Sequence, residues 1–199
     1  MKKHCYTLLV FVFSISSFAQ SNTFIDKRDG KVYKTVRIGL QTWIAENLAF
    51  KADSNCWAYD NDQSFVAKYG YLYNWQTAKT VCPTGWHLPN KEEFETLLNN
   101  CGGSGKEAYK ALFPGGSSGF SARFGGYGTY YSGFYEIGER ADFWSSSSEE
   151  ARSYEEEETG ELYYYESVSN LEFNGYSSTA YISAGYSSSN WSVRCLKDN

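Results

Sequence analysis

The chain has 199 residues, a formal net charge of −5, 19% aromatic residues and five cysteines. Eight glutamates and one arginine between Glu149 and Glu166 contribute −7, so the rest of the chain sums to only +2, matched by Lys2 and Lys3 near its start, and this small balance argues against nucleic acid and anionic lipid as partners. The length suits one ordinary domain with a real core.

The start, "MKKHCYTLLVFVFSISSFAQ", has two lysines, an apolar run from Tyr6 to Phe13 and a Ser17-Phe18-Ala19 ending. This is the layout of a secretory signal peptide, too short for a membrane span, and cleavage is expected after Ala19. Residues 20–199 then form a single exported domain, destined for the periplasm, cell surface or medium, with no membrane insertion after cleavage. Removing Lys2 and Lys3 takes its charge to −7. Cys56, Cys82, Cys101 and Cys195 survive cleavage, and four widely spaced cysteines in an exported chain read as two disulfides with three possible connectivities.

A first hairpin is expected over Phe24 to Ile38, turning at Asp29-Gly30, with Val32, Val36 and Ile38 on one face and Trp43 and Ile44 packing after a Gly39 turn. The polar stretch from Lys51 to Gly70 reads as a loop tied down by Cys56. A helix follows, capped by Asn74, with Ala78, Val81 and Cys82 on one side and ended by Pro83. A second starts at Asn90 with Glu93 as its capping-box partner, and Phe94, Leu97, Leu98 and Cys101 follow a helical stripe. A third runs from Ser104 to about Phe113. From Pro114 onward glycine, serine and aromatics dominate, which predicts short strands and glycine-hinged loops. The acidic segment is a solvated loop or the entry to a strand near Leu162, and in the last strand Trp191, Val193 and Cys195 alternate toward one face.

His87, in "CPTGWHLPNKEEFETL", is the single histidine left after cleavage. With the cysteines paired, it has only carboxylates as co-ligands, a poor zinc set. Glu92 and Glu93 are explained by the helix start, where acids meet the positive end of the dipole. His87 therefore reads as a structural joint. There is no GxSxG elbow, no phosphate-binding GxxxxGK[ST] and no marked carboxylate pair. No catalytic residue and no metal site are assigned. Calcium on Glu155 to Glu158 is weighed against a solvated face, which is favoured because no EF-hand spacing is present.

The aromatic content serves core packing first, but loop rings also stack on sugars. The residues put forward for such a surface are Trp57, Tyr127, Tyr130, Tyr131, Tyr163, Tyr164 and Tyr165.

The blocks "DGKVYKTVRIGLQTWIAENL", "YGYLYNWQTAKTVCPTGWHLPNKEEFETL", "GFSARFGGY", "FWSSS" and "SVRCLKD" resemble, in order, those of the Fibrobacter succinogenes major paralogous domain, from about residue 24 to 197. Phe94 stands where that pattern has tryptophan, and the glutamate run at 155–158 is particular to this chain. The resemblance implies an α+β, C-type lectin-like scaffold related to formylglycine-generating enzymes, with two to three short helices, small antiparallel sheets and long Gly/Ser/aromatic loops. It also implies a Cys82–Cys195 disulfide, leaving Cys56 with Cys101. The EPN or QPD calcium triplet of sugar-binding lectins is missing, as are the paired C-terminal cysteines of formylglycine-generating catalysis. The expected function is an exported non-enzymatic binding module for a carbohydrate or an envelope or surface protein. The alternatives are a carboxylate-based enzyme on extracellular polysaccharide and a purely structural envelope protein.

Overall fold

Alternating apolar residues on either side of an Asp-Gly turn build the first element pair. In a computed structural model describing residues 22–129, 133–149, 152–155 and 162–198, β1 (Asn22–Ile25) and β2 (Val32–Ile38) pair antiparallel, with Gly30 at φ +76° in the turn. β3 (Gln41–Ile44) follows the Gly39 turn and buries Trp43 and Ile44 completely. Val36 and Ile38 face the core, whereas Val32, paired with Ile25 beside the turn, is 54% exposed. The expected signal peptide, residues 1–19, lies outside the described residues.

The stretch expected as a loop carries β4 (Cys56–Trp57) and α1 (Val66–Tyr69) before β5 (Leu72–Asn74). The Asn74-capped helix, α2 (Trp75–Ala78), is a single turn, with Asn74 Oδ1 accepting from Thr77 N at 2.9 Å. It stops well short of Pro83 because the chain leaves it to bring Cys82 to the last strand segment. β6 (Trp86–His87) then leads to α3 (Lys91–Asn100), whose capping box is complete: Glu93 N donates to Asn90 Oδ1 and Asn90 N donates to Glu93 Oε2, both at 2.8 Å. α4 (Lys106–Leu112) begins after Gly105, not Ser104. The N-cap residue is Gly105, at φ +115° and with no side chain to cap, while the Ser104 hydroxyl, one residue earlier, donates to Ala180 O.

The second half departs from the expected short strands. After the small β7 (Tyr127–Gly128) and β8 (Phe134–Tyr135) come β9 (Arg140–Ser148), β10 (Arg152–Glu155), β11 (Leu162–Tyr165), β12 (Ser167–Asn174), β13 (Thr179–Tyr186), β14 (Asn190–Ser192) and β15 (Leu196–Lys197). β9, β12 and β13 run eight or nine residues. Paired on both edges, β9 and β12 satisfy their backbone groups in the ladder, so serines such as Ser145, Ser167 and Ser169 are tolerated in the interior.

The elements form a small sheet, ordered β1-β2-β3-β15-β6, and a large one, β13-β12-β9-β14-β5-β4, onto which β7 and β8 add beside β14. β10 pairs only with β11. The architecture is thus mixed α+β, dominated by sheet, with α3 and α4 packed on the β12–β13 side. The stretch Asn190–Lys197 joins the two sheets: β14 inserts between β9 and β5, and β15 between β3 and β6. Trp191, Val193 and Cys195 all enter one apolar cluster with Tyr33, Tyr73, Trp75 and Trp144. A second cluster, centred on Trp43, Phe94, Phe120, Phe143 and Phe173, lies beneath the helices. Phe94 fills its place there by stacking on Trp43 with centroids 5.5 Å apart.

Arg194 lies at this crossing, fully buried and without a carboxylate partner among the described residues. Its guanidinium donates to Asn47 Oδ1 and to the carbonyls of Ile44, Phe120 and Ser121, and it lies 4.5 Å from the Phe120 ring centroid. A planar fork of donors is the side chain that can close four acceptors from two chain segments, 44–47 and 120–121, at once.

Cys82 and Cys195 form a disulfide across 113 positions. The expected Cys56–Cys101 bond is not formed; both are free thiols. The reason is topological. Cys56 sits on β4 at the edge of the large sheet, against the tyrosine and tryptophan cluster, while Cys101 caps α3 in the other cluster.

Candidate functional site

The single described histidine is the joint its sequence context suggests. His87 donates from Nδ1 to Asp198 Oδ1 at 2.7 Å and from Nε2 to Glu93 Oε1 at 3.0 Å. Burial lowers its pKa, but the two carboxylate hydrogen bonds outweigh this and leave it raised. Glu93 thereby performs two tasks, capping α3 with one oxygen and holding His87 with the other. Trp86 and Leu88 on either side are buried.

A second charged group is interior. Arg140 grips Asp142 through Nε at 2.7 Å and Nη2 at 3.1 Å, and donates from Nη2 to Glu172 at 3.0 Å. Asn170 donates to Asp142 and Tyr181 to Glu172. Burial pushes the Asp142 carboxyl up to about 6 against the lowering effect of Arg140. Asp142 and Glu172 are opposed residues on β9 and β12, 0% and 5% exposed. They brace the sheet and line none of the clefts described below.

One site with room for a ligand is a cleft of about 540 Å3 where β4, β5, β7, β8 and β14 meet; another, of about 580 Å3, lies on the small sheet beside Phe24, Arg37 and Trp86. Five carboxamides line the first: Asn55, Asn61, Asn74, Gln76 and Asn190. Trp57 and Phe134 supply rings, and Thr129, Ser187 and Ser188 supply hydroxyls. Among the described residues, none that lines it is charged. Gly126, at φ +64°, shapes the neighbouring turn: a Cβ there would lie 2.2 Å from Tyr135 O, so any side chain would displace β8.

The five amides are not equivalent. Asn55 and Asn61 have φ of +54° and +58°, a backbone that asparagine tolerates better than most residues, and Asn74 caps α2. The fold gives those three a reason to be asparagine. Gln76 and Asn190 have no such duty. Gln76 is exposed, Asn190 is 7% exposed, and neither side chain has a hydrogen-bond partner among the described residues. A buried amide normally pairs both its donors and its acceptor. Asn190 instead presents them to the cleft. The Trp57 indole likewise has no ring contact among the described residues, whereas Phe134 is packed on Tyr59 at 5.4 Å.

Of the aromatic residues put forward from sequence, Trp57 lines this cleft. Tyr127 does not: its ring stacks on Tyr135 at 5.4 Å, with the Arg140 guanidinium 5.4 Å from its centroid. Tyr130 and Tyr131 lie outside the described residues. Tyr163, Tyr164 and Tyr165 form most of β11, but their side chains are not described. Sequence reading missed Asn55, Asn61, Gln76 and Asn190, because neutral amides spread over 136 positions carry no motif.

Among the described residues no group of three or more His, Cys, Asp or Glu is arranged to hold a metal ion. Glu156 to Glu158, weighed for calcium, lie outside them. What the cleft offers is a set of neutral donors and acceptors beside an open aromatic face, which suits a neutral polyhydroxylated ligand.

No curated protein and no solved structure matches this chain. The family model of the Fibrobacter succinogenes major domain matches residues 36–197, which takes in the large sheet, the small sheet from the second half of β2 onward, the disulfide and the cleft. The chain therefore belongs to the Fibrobacter succinogenes major domain family.

Proposed function

We propose that this protein is an exported, non-enzymatic binding module whose amide-lined cleft holds an uncharged carbohydrate. The observation that carries the reading is Asn190, a buried amide with no partner among the described residues, opening into a cleft that has no charged lining residue and an unstacked indole at Trp57. Carboxamides pair with sugar hydroxyls in both directions, as donor and as acceptor. An indole covers the apolar face of a pyranose. Binding through amides needs no calcium, consistent with the missing lectin triplet. The Cys82–Cys195 bond, which fastens the region after α2 to the last strand segment, supports both a C-type lectin-like scaffold and an oxidising, exported location.

The test is equilibrium binding of oxidised protein, residues 20–199, to a panel of neutral and acidic glycans in the presence of EDTA. Saturable binding to neutral glycans is expected, weakened about tenfold or more by Trp57→Ala and by Asn190→Ala. No binding to any neutral glycan, or binding indifferent to Trp57→Ala, would overturn the reading and favour a structural envelope role.

A further inference from the structure

Away from the amide cleft, two smaller clefts adjoin. One, of about 330 Å3, is lined by Lys31, Lys68 and Arg123 and bounded by Asn47 and Gly70; the other, of about 390 Å3, by Lys34, Ser121 and again Arg123. Glu46 and Arg123 belong to both, so the two form one groove. Four cations from separate elements thus converge on a chain whose net charge is −5. None of the four is in an ion pair among the described residues.

The floor adds a fifth charge. Arg194 is fully buried, and its guanidinium is held by Asn47 Oδ1 and by Ser121 O, both from residues that line the groove. Asn47 in turn donates to Arg123 O at 3.0 Å. Since only neutral acceptors satisfy Arg194, its charge is not cancelled inside the protein, and its field reaches the groove above through little water. Two carboxylates oppose the cations. Glu46 Oε1 accepts from Lys34 N at 3.0 Å, and Asp29 Oδ1 accepts from Lys31 N at 2.9 Å. The balance stays positive.

We propose that this groove is a second ligand site, for an acidic polysaccharide carrying sulfate or carboxylate groups on successive sugars. Two observations select a polyanion over a single small anion. The cations are divided between two joined clefts, and Arg123 is shared, so each cleft meets its own anionic group. Ser121, lining the second cleft, supplies a hydroxyl for the uncharged parts of the sugar. The site is separate from the amide cleft, and the inference does not depend on what that cleft binds.

The experiment is titration of the oxidised protein, residues 20–199, at low salt with three probes: a dextran sulfate oligosaccharide, an oligogalacturonate and unsulfated dextran of matched length. Saturable binding of at least one acidic probe is expected, distinguishing sulfate from carboxylate by which is tighter, with affinity falling as salt rises. Arg123→Gln should weaken it about tenfold, the Lys34→Gln/Arg123→Gln double variant further, and Glu46→Gln should strengthen it. Lys106→Gln, on α4, and Trp57→Ala should change it less than twofold. Unchanged thermal melting of each variant confirms that the fold is intact. Absence of binding to both acidic probes, equal losses with Lys106→Gln, or no gain with Glu46→Gln would overturn the proposal. A single-stranded oligonucleotide bound as tightly as the better acidic glycan would overturn its assignment to polysaccharide.

Discussion

Arg194 shows how much one side chain can be asked to do. Its donors satisfy Ile44 O, Phe120 O, Ser121 O and Asn47 Oδ1, and these acceptors come from segments that otherwise meet only at the sheet crossing. Arg194→Leu preserves bulk but leaves the acceptors buried and unpaired, and is expected to cost about 3–5 kcal/mol in urea unfolding. Arg194→Lys keeps the charge, yet a single ammonium cannot reach the same set of acceptors, so little rescue is expected. Full rescue by lysine would show that charge, not the fork, is what the position requires. The same close reading separates the amides of the cleft. Asn55, Asn61 and Asn74 are asparagines the backbone asks for, whereas Asn190 and Gln76 line the cleft with no hydrogen-bond partner among the described residues.

At the scale of elements, His87 ties β6 to the start of α3 and to the chain just after β15. Both ring nitrogens face carboxylates, so the protonated ring is the form the fold prefers, and its pKa is raised above the ordinary value. A histidine with a raised folded-state pKa contributes stability that is fully present below its unfolded pKa of about 6.5 and is lost as pH rises through the folded value. Stability of the wild-type protein relative to His87→Gln should therefore fall from pH 6 to pH 8.5, measured by urea unfolding across that range. A pH-independent difference between the two would mean the ring is not charged in the folded state. The capping box at Asn90 and Glu93 was legible from sequence because its partners are three residues apart, whereas the contact of Glu93 with His87 was not. The α2 helix was legible at its start, where Asn74 caps it, but not at its end, because the exit is set by the Cys82–Cys195 contact and not by a local signal.

For the whole molecule, the disulfide closes a loop of 113 positions and should be worth about 4 to 5 kcal/mol by restricting the unfolded chain. Reduction, or a Cys82→Ser/Cys195→Ser double variant, should lower the urea midpoint accordingly. Cys56 and Cys101 are free thiols, and burial pushes Cys101 up to about 11. Residues 20–199, denatured without reductant, should therefore release two titratable thiols. A count of zero would restore the Cys56–Cys101 bond, which the present fold excludes by placing the two in different clusters.

Sequence alone determined what depends on neighbours or on order. The Asp29–Gly30 hairpin, the start of α3 and the one-sided alternation of Trp191, Val193 and Cys195 all follow from local periodicity and capping. The ordered blocks identified the family. Tertiary structure decided which cysteines pair, how long the central strands are, and where charge and unpaired polarity collect. The amides of the cleft and the cations of the groove come from separate segments that only the chain's passage between two sheets brings together. A chain that carries only +2 outside its acidic segment can still gather four cations on one surface, because composition fixes the sum of the charges and folding fixes their distances.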